Sequence, residues 1–576
     1  MNITIRKSDN RDLTLTVPDG TTVMEVLTSA GFSLDAPCAG QGRCGKCLVT
    51  VYGDFEPPAK GELEILADRP DQRLACQARG RGEVTVILED RASFSALKGL
   101  GQTAPYNFDP AVTLVQIPDR DRRDQKPLVR TLGLYPKNGE ALSQLAVLEA
   151  NRTTAKALCY HQQLLGAWPD GQGPDENLAL AVDLGTTGLA VAVIDLDKKE
   201  TVAVETSLNP QTTVGGDVIS RITYAAESSD NLKRIQELVI RGIAELVTKA
   251  VPPERIKNLG AAIICGNTTM LHLLAGINPK SLAQAPYRPI FVDPLRLSEL
   301  APRLGLPPWA MVVTTPSISA YVGGDITAGL IATQLVQRPG TLMFIDIGTN
   351  GEIVLSRNGR LVATSCAAGP ALEGMNISCG MRAITGAIDS FYLGPDMAQI
   401  FTAIGRSDPK GICGSGLIDI VAELIRAGVI TSAGRLIAPK SSPDILRDGK
   451  YHLTDSIYLS QKDVRQVQLA KGAIAAAMRM LLDKMELSLA DLDEVVIAGS
   501  FGYHLQAENL LTISLIPKGY NGPITFVGNS ALAGAARLLL DRSATTEIEW
   551  ISQNVEVVEL SFDPKFQNTF LEELSF

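Results

Sequence analysis

The sequence lacks the features that mark a nucleic-acid-binding, exported or membrane-spanning protein. Its 576 residues carry a formal net charge of −10, and no run of basic residues offers a surface for nucleic acid or anionic lipid. The first residues alternate between apolar and polar side chains instead of forming the apolar core of a signal peptide. No apolar run approaches the roughly 18 residues needed to cross a bilayer. These absences predict a cytoplasmic protein that binds neither nucleic acid nor membrane.

A phosphate-binding P-loop is missing as well. Neither Gly-Lys pair, at 45–46 or at 449–450, is followed by Ser or Thr, so the Walker A pattern does not occur. Nine cysteines are spread over a chain without a recognisable export signal, and a reducing compartment does not favour a disulfide framework. Metal ligation is therefore the better interpretation of the cysteines that cluster.

Four of these cysteines form the strongest motif in the chain. They follow the spacing C-x5-C-x2-C-x28-C, which comprises Cys38, Cys44, Cys47 and Cys76. Two irons bridged by two sulfides need four thiolates, and the plant-type pattern takes three from one loop and the fourth from a distant strand. A structural zinc site is the alternative for four cysteines.

The residues around the motif favour the iron–sulfur cluster over zinc. Apolar side chains alternate at 3–5, 13–17 and 84–88 as they do in strands, and a helix is predicted to begin near residue 22. This part of the chain, roughly 1–90, resembles the ferredoxins with C-x5-C-x2-C spacing. We therefore expect a β-grasp domain that holds one 2Fe-2S cluster on the four cysteines.

The rest of the chain contains a loose internal duplication, in which three landmarks recur in the same order. A buried strand ends in an aspartate turn at 179–188 and again at 342–351. A strand closed by glycine follows, and then a helix of small residues. These lie at 260–267 and 322–330 in the first copy and at 494–500 and 527–535 in the second. Two similar α/β halves are predicted to face each other.

This order resembles the actin, sugar kinase and Hsp70 superfamily over about residues 178–576. The resemblance implies a ribonuclease H-like fold with ATP and Mg²⁺ between the halves. Asp183 and Asp346 would face the nucleotide from opposite sides, where a carboxylate can hold Mg²⁺ directly or through water, and Asp217 is a third candidate for the hydrolytic step. Backbone N–H groups and hydroxyls of the two turns would bind phosphate oxygens. The implied nucleotide contacts are Gly185, Thr186, Thr187, Gly348, Thr349 and Asn350, with Gly499, Ser500 and Phe501 beside the nucleoside.

The predicted protein is thus a multidomain α/β chain. The 2Fe-2S domain occupies 1–91, and a flexible linker of mixed composition occupies 92–111. A small α+β middle domain follows at 112–175, with one strand-like segment and one amphipathic helix. The ATP-binding domain takes 176–576, in halves of about 176–338 and 339–576.

The whole order of domains resembles the reductive activators of corrinoid proteins. That family implies ATP-dependent delivery of one electron from the 2Fe-2S cluster, which converts the inactive Co(II) corrinoid protein of a methyltransferase system to Co(I). The corrinoid is expected on the partner, because none of the four histidines follows an aspartate in a D-x-H-x-x-G motif. An external electron donor and a homodimer are also implied. The polar stretches 364–366 and 376–379 either touch the corrinoid or are structural turns.

Three other functions fit the same motifs. The chain could activate a different radical or dehydratase enzyme by ATP-dependent electron transfer. It could also be a carbohydrate kinase with a regulatory 2Fe-2S domain, which would need a polar sugar pocket and a catalytic aspartate. A non-enzymatic, redox-sensing scaffold would bind ATP without delivering an electron.

Cys44→Ala tests the role of the four-cysteine motif. The substitution removes one predicted thiolate and should abolish corrinoid reduction, while ATP binding persists because the nucleotide site lies in another domain. The Co(I) absorption band and an equilibrium nucleotide titration measure the two properties. A variant that forms Co(I) at the wild-type rate would count against a cluster on these cysteines.

Overall fold

The computed structural model describes most of the chain. The described residues are 1–7, 12–30, 42, 47–66, 71–88, 105–117, 126–151, 154–394, 397–438, 445–499 and 505–576.

The N-terminal domain is a five-stranded sheet with a helix against it. Its strands are β1 (Asn2–Lys7), β2 (Asp12–Thr16), β3 (Leu48–Phe55), β4 (Gln72–Leu74) and β5 (Gly80–Leu88), in the order β2-β1-β5-β3-β4. Helix α1 (Val23–Ser29) begins at a capping box between Thr22 and Glu25, and α2 (Lys60–Leu66) follows β3. Because β1 runs antiparallel to β2 and parallel to β5, this arrangement confirms the predicted β-grasp domain.

A second, smaller sheet follows the predicted linker. It contains β6 (Val112–Ile117), β7 (Tyr135–Pro136), β8 (Ala155–Tyr160) and β9 (Gln163–Pro169), in the order β6-β8-β9-β7, with α3 (Leu128–Thr131) and α4 (Gly139–Asn151). The end of the predicted linker lies against the C-terminal body, where Asp109 N–H donates to Leu540 O and Ala111 N–H to Leu539 O, at 3.0 and 2.8 Å. Residues 105–111 are therefore anchored. The boundaries proposed at 91, 111 and 175 stay predictions.

The first half of the body is built on a five-stranded sheet. Its strands are β10 (Leu178–Leu184), β11 (Gly188–Asp195), β12 (Glu200–Leu208), β13 (Leu259–Gly266) and β14 (Met311–Thr314), in the order β12-β11-β10-β13-β14. The helices are α5 (Val218–Glu227), α6 (Ser229–Ala250), α7 (Thr268–Leu274) and α8 (Gly324–Ala332). Strands β10 and β13 are apolar almost throughout because helices cover both faces of the sheet.

The second half repeats that plan. Strands β15 (Thr341–Ile347), β16 (Gly351–Arg357), β17 (Arg360–Cys366), β24 (Glu494–Ala498) and β25 (Ile524–Gly528) take the equivalent order, and β26 (Val555–Val557) adds to β17. Within each half the strands are thus arranged third, second, first, fourth, fifth, which confirms the predicted duplication. The polar stretch 364–366, for which the sequence left a corrinoid contact or a structural turn open, is not a turn but belongs to β17, where Cys366 pairs with Gly351.

Further elements complete the second half. Two small sheets comprise β18 (Ala387–Leu393), β19 (Gln399–Ala403) and β20 (Gly411–Ile412), then β21 (Leu446–Arg447), β22 (Lys450–His452) and β23 (Tyr458–Leu459). The helices are α9 (Gly414–Arg426), α10 (Gln461–Lys484), α11 (Ala507–Thr512), α12 (Ser530–Leu540), α13 (Ser543–Asn554) and α14 (Pro564–Glu572).

The two halves meet where α8 crosses α12. Gly534 of α12 lies so close to α8 that a Cβ atom there would stand 2.0 Å from the carbonyl oxygen of Ala328. Gly329, its counterpart on α8, faces α12 in turn, since a Cβ there would lie 2.8 Å from the Ser530 hydroxyl. Buried residues of both halves form one core around this crossing. The contact sets how the two sheets face each other.

Gly534→Ala tests this helix contact. The added methyl group cannot fit without separating the helices, so we expect the free energy of unfolding to fall by about 1–3 kcal/mol. Scanning calorimetry of the full chain measures the change. Gly139→Ala on α4 is the matched control, because a Cβ there meets open space and should shift stability by no more than about 0.5 kcal/mol. Equal melting temperatures for both variants would contradict the proposed role of Gly534.

Candidate functional site

Two of the four predicted cluster ligands lie in the described part of the N-terminal domain. Cys47 directly precedes β3 and Cys76 follows β4, and their sulfur atoms approach to 3.4 Å in the domain interior. The Ala75 N–H donates to Cys47 O at 2.8 Å, which ties the two segments together. A Cβ at Gly42 would stand 3.0 Å from the Gln77 side chain, so the chain is closely packed beside this pair.

These residues fit a 2Fe-2S cluster, since two buried thiols from separate segments already converge. Cys38 and Cys44 lie outside the described residues. The assignment of all four cysteines therefore stays a prediction, which the convergence of Cys47 and Cys76 supports.

The first predicted phosphate turn, 185–187, joins β10 to β11 and is held from two sides. Asn209 donates from its backbone N–H to Thr187 O at 2.9 Å and from its side-chain amide to Gly185 O at 2.8 Å. Asn267, the N-cap of α7, donates to the Thr186 hydroxyl at 2.9 Å. These contacts leave the turn preorganised before any ligand binds.

A buried arginine supports the same turn from behind. Arg221 on α5 donates to the carbonyl oxygens of Thr186 and Gly215, at 2.5 and 2.9 Å, and to the Gln211 side chain at 3.2 Å. Burial lowers its pKa to about 9. All three of these acceptors are neutral, so the guanidinium adds positive charge beside the phosphate turn.

Three aspartates, one at the end of each of three elements, share the space between the halves. Asp183 lies near the end of β10, Asp346 lies near the end of β15, and Asp325 is in the first turn of α8. All three are half-buried. The Asn529 amide, which belongs to the second half, donates to Asp183 Oδ2 at 2.8 Å. Asp183 and Asp346 thus lie on facing halves together with Asp325, and their role at a nucleotide stays a prediction.

Burial raises the pKa of each aspartate, and repulsion by neighbouring carboxylates adds to the shifts of Asp325 and Asp346. Burial raises the pKa of Asp183 to about 6, although the Asn529 hydrogen bond opposes this shift. Burial and the neighbouring Asp183 raise the pKa of Asp325 to about 7. Burial and the charges of Asp325, Asp183 and Glu373 raise the pKa of Asp346 to about 8. A cation between these carboxylates would relieve the repulsion.

The aspartates do not form a closed metal cage. Among the residues that the structure describes, no three His, Cys, Asp or Glu side chains come together as a direct metal-binding set. Mg²⁺ keeps several of its waters and uses only one or two carboxylates beside substrate phosphates. The open arrangement therefore fits a magnesium–nucleotide complex better than a permanently bound ion.

One glutamate connects the two phosphate turns. The Thr349 hydroxyl donates to Glu373 Oε1 at 3.0 Å, and the Thr187 hydroxyl donates to Oε2 at 3.4 Å. Thr187 belongs to the first half, whereas Thr349 and Glu373 belong to the second. The carboxylate therefore lies where the two turns face each other.

The remaining predicted residues lie in different settings. Asp217 is exposed and caps α5, accepting from the Ser220 N–H at 2.8 Å. Its catalytic role stays a prediction, and a structural role is already visible.

Gly499 has φ +110°, and a Cβ there would stand 2.7 Å from Ile347 O, so only glycine fits. Ser500 and Phe501 lie outside the described residues.

Four residues of this site have no role predicted from the sequence: Asp325, Glu373, Asn529 and Arg221. A signal existed for the first, since Asp325 opens the small-residue helix of the first landmark copy. Glu373 stands in the glycine-rich stretch 367–374, which offers no motif of its own. Asn529 and Arg221 act through contacts with residues 346 and 35 positions away, which no local pattern reveals.

Comparison with known proteins defines the class. Three family models match: the 2Fe-2S iron-sulfur cluster binding domain at 7–80, the RACo middle region at 178–338, and the C-terminal domain of RACo, the ASKHA domain, at 340–576. The chain thus joins a ferredoxin-type domain to an ASKHA body, as the sequence predicted. The family's middle region is the first half of the body, and differs from the segment 112–175 that we termed the middle domain.

Similar full-length proteins define the family. Corrinoid activation enzyme RamQ of Eubacterium limosum is 30% identical over 95% of this chain and 95% of its own length. The [Co(II) methylated amine-specific corrinoid protein] reductase of Methanosarcina barkeri is 28% identical over 69% of this chain and 76% of its own. The solved structure of a reductive activator for corrinoid,iron-sulfur protein superposes with a TM-score of 0.74 at 29% identity, covering 100% of this chain and 98% of that one. The chain belongs to the family of reductive corrinoid activators.

The structure also bears on the membrane prediction. Within the described ranges, no helix combines the length and the hydropathy needed to cross a bilayer.

Asp346→Asn tests the repulsion among the aspartates. Because folding raises this pKa from 3.8 to about 8, the folded state holds a proton that the unfolded chain releases, and the free energy of unfolding falls as pH rises through this interval. We expect the metal-free variant to melt at least about 2 °C above wild type at pH 8, with a smaller difference at pH 6. We also expect MgATP to raise its melting temperature less.

The matched control for this experiment is Asp455→Asn, whose side chain is fully exposed. Its melting curve should follow wild type at both pH values, with and without MgATP. An Asp346→Asn protein that is less stable than wild type at pH 8 would argue against mutual repulsion.

Proposed function

We propose that this chain is an ATP-dependent reductive activator that passes one electron to the Co(II) corrinoid protein of a methyltransferase system and restores its Co(I) state. The observation that carries the proposal is the union, in one chain, of a cluster-binding domain with two facing halves whose phosphate turns and aspartates meet in one cleft. The full-length similarity to corrinoid activators supports the same conclusion.

The energetics explain why both parts are needed. A plant-type 2Fe-2S cluster supplies single electrons at about −400 mV. An electron reaches a still more reducing cobalt only if another source of free energy is coupled to the transfer. ATP can provide it when nucleotide binding favours a conformation that binds the Co(II) partner differently. In this proposal ATP binds between the two halves, so its binding can change how far the cleft between them closes.

The nucleotide site follows from the residues of the two turns. In this proposal Gly185, Thr186 and Thr187 bind phosphate from the first half, and Gly348, Thr349 and Asn350 bind it from the second. Asp183 and Asp346, together with Asp325, hold Mg²⁺ through its water ligands. Gly499, with Ser500 and Phe501, borders the nucleoside.

Location and assembly complete the proposal. We place the protein in the cytoplasm, because buried thiols such as Cys159, Cys265 and Cys413 suit a reducing compartment. An external protein reduces the cluster, and the activator works as a homodimer. Family resemblance is the basis for the donor and the homodimer.

Mixing the chemically reduced protein with Co(II) corrinoid protein tests the function. We expect the Co(I) absorption band to appear with ATP and to be absent or much weaker without it. Asp183→Asn should keep the 2Fe-2S spectrum and lose the ATP-dependent Co(I), whereas Asp230→Asn on the exposed first turn of α6 should match wild type.

Two outcomes would contradict the proposal. Wild-type protein that forms no Co(I) in the presence of ATP is not an activator of that corrinoid protein class. A phosphorylated sugar in a parallel mixture with ATP would instead favour the carbohydrate kinase.

A further inference from the structure

ATP hydrolysis needs a group that orients the attacking water, and the three aspartates are poorly placed to provide it. Asp183, Asp325 and Asp346 share the space between the halves, where Asp183 raises the pKa of Asp325 and both raise that of Asp346, so a cation there would relieve their repulsion. One of them, Asp183, also accepts the amide hydrogen bond of Asn529. An aspartate that binds Mg²⁺ or one of its water ligands cannot also accept a proton from the attacking water.

Glu373 is close enough to raise the pKa of Asp346, but it differs from the aspartates in the groups that it contacts. Its two carboxylate oxygens accept hydrogen bonds from Thr349 and Thr187. Those hydroxyls are the groups that the proposed function assigns to phosphate oxygens. The carboxylate therefore lies beside the place where the two turns would enclose the terminal phosphate.

The backbone around Glu373 keeps it there. It ends a short 3-10 turn, Pro370–Glu373, whose Ala371 and Leu372 side chains are buried in the core of the second half. The Met375 N–H donates to Pro370 O at 3.1 Å and closes the turn. A carboxylate presented from such a buried turn is preorganised and needs little rearrangement during the reaction.

We propose that Glu373 is the catalytic carboxylate that orients the water attacking the γ-phosphoryl group of ATP. This inference rests on the proposed function, because it requires ATP in the cleft. The arriving phosphate takes over the two threonine hydroxyls, and the carboxylate is released to accept a hydrogen bond from water.

The chemical step is an in-line displacement at phosphorus. The water oxygen bonds to the γ-phosphorus while the bond from that atom to the β–γ bridging oxygen breaks, and its electron pair leaves with ADP. Glu373 takes one proton of the water and later releases it to solvent, so the products are ADP, inorganic phosphate and one proton. Burial raises the pKa of Glu373, which makes its carboxylate a stronger base than an exposed one.

Glu373→Gln in the full chain tests the proposal by separating kcat from KM. The amide keeps one oxygen that accepts from a threonine hydroxyl and presents an NH2 group that can donate to the other hydroxyl oxygen, but it cannot take a proton. We expect kcat for ATP hydrolysis to fall about 100-fold or more, with KM for ATP equal to or below the wild-type value because a negative charge beside the phosphates is lost. Bound nucleotide recovered by rapid gel filtration should remain ATP in the variant.

Two further variants keep the result interpretable. Glu423 lies on α9, and its side chain accepts a hydrogen bond from the Leu393 N–H of β18 at 3.0 Å. Glu423→Gln controls for loss of a carboxylate in the same half. It should hydrolyse ATP like wild type, because this contact is with β18 and not with the phosphate turns. Glu373→Asp keeps the charge with a shorter reach, and its kcat should lie between those of wild type and Glu373→Gln.

Either of two results would overturn the role of Glu373. A Glu373→Gln kcat within about threefold of wild type would show that another group orients the water. A loss of ATP binding without a fall in kcat would mean that Glu373 only joins the two turns. If wild-type protein itself neither binds nor hydrolyses ATP, the proposed function fails, which is a distinct outcome.

Discussion

The close crossing of α8 and α12 is the constraint on which the rest of the body depends. At Gly329 and Gly534 the two helices approach within the space of a missing methyl group, and one apolar core surrounds them. Because these helices are the equivalent elements of the two halves, their contact brings the ends of β10 and β15 to face each other. Asp183 and Asp346 therefore face each other although they lie 163 positions apart in the sequence.

Bringing three carboxylates together between the halves lowers the free energy of unfolding at neutral pH. Asp183, Asp325 and Asp346 would each be ionised in the unfolded chain at neutral pH, and folding raises the pKa of all three. Such strain is expected at a site whose ligand removes it. In the proposed nucleotide site, a magnesium–nucleotide complex would supply the missing positive charge, and its phosphates would contact the 185–187 turn that Arg221 and Asn209 hold in place.

The ferredoxin domain is connected to this machinery by the linker and by contact with the first half. Arg241 on α6 donates to the carbonyl oxygen of Thr28 at the end of α1, at 3.3 Å. The other end of the linker is fixed on the second half through Asp109 and Arg542, at 2.6 Å. The described contacts thus place the end of α1 against the first half and residue 109 against the second.

The sequence by itself determined the parts that depend on local order. The spacing of Cys38, Cys44, Cys47 and Cys76 predicted the cluster domain, because a loop of fixed length must place three thiolates around one core. The repeated aspartate turns predicted the duplicated fold, since each copy is one continuous stretch.

Only the tertiary structure decided which carboxylates share the cleft. Asp217 was a candidate for the hydrolytic step in the sequence but caps a helix at the surface. Asp325, at the start of a landmark helix, and Glu373, which carries no motif, reach the site through the packing of whole halves. A residue's role at such a site depends on distances between segments far apart in the chain, and these distances are set when the two cores assemble.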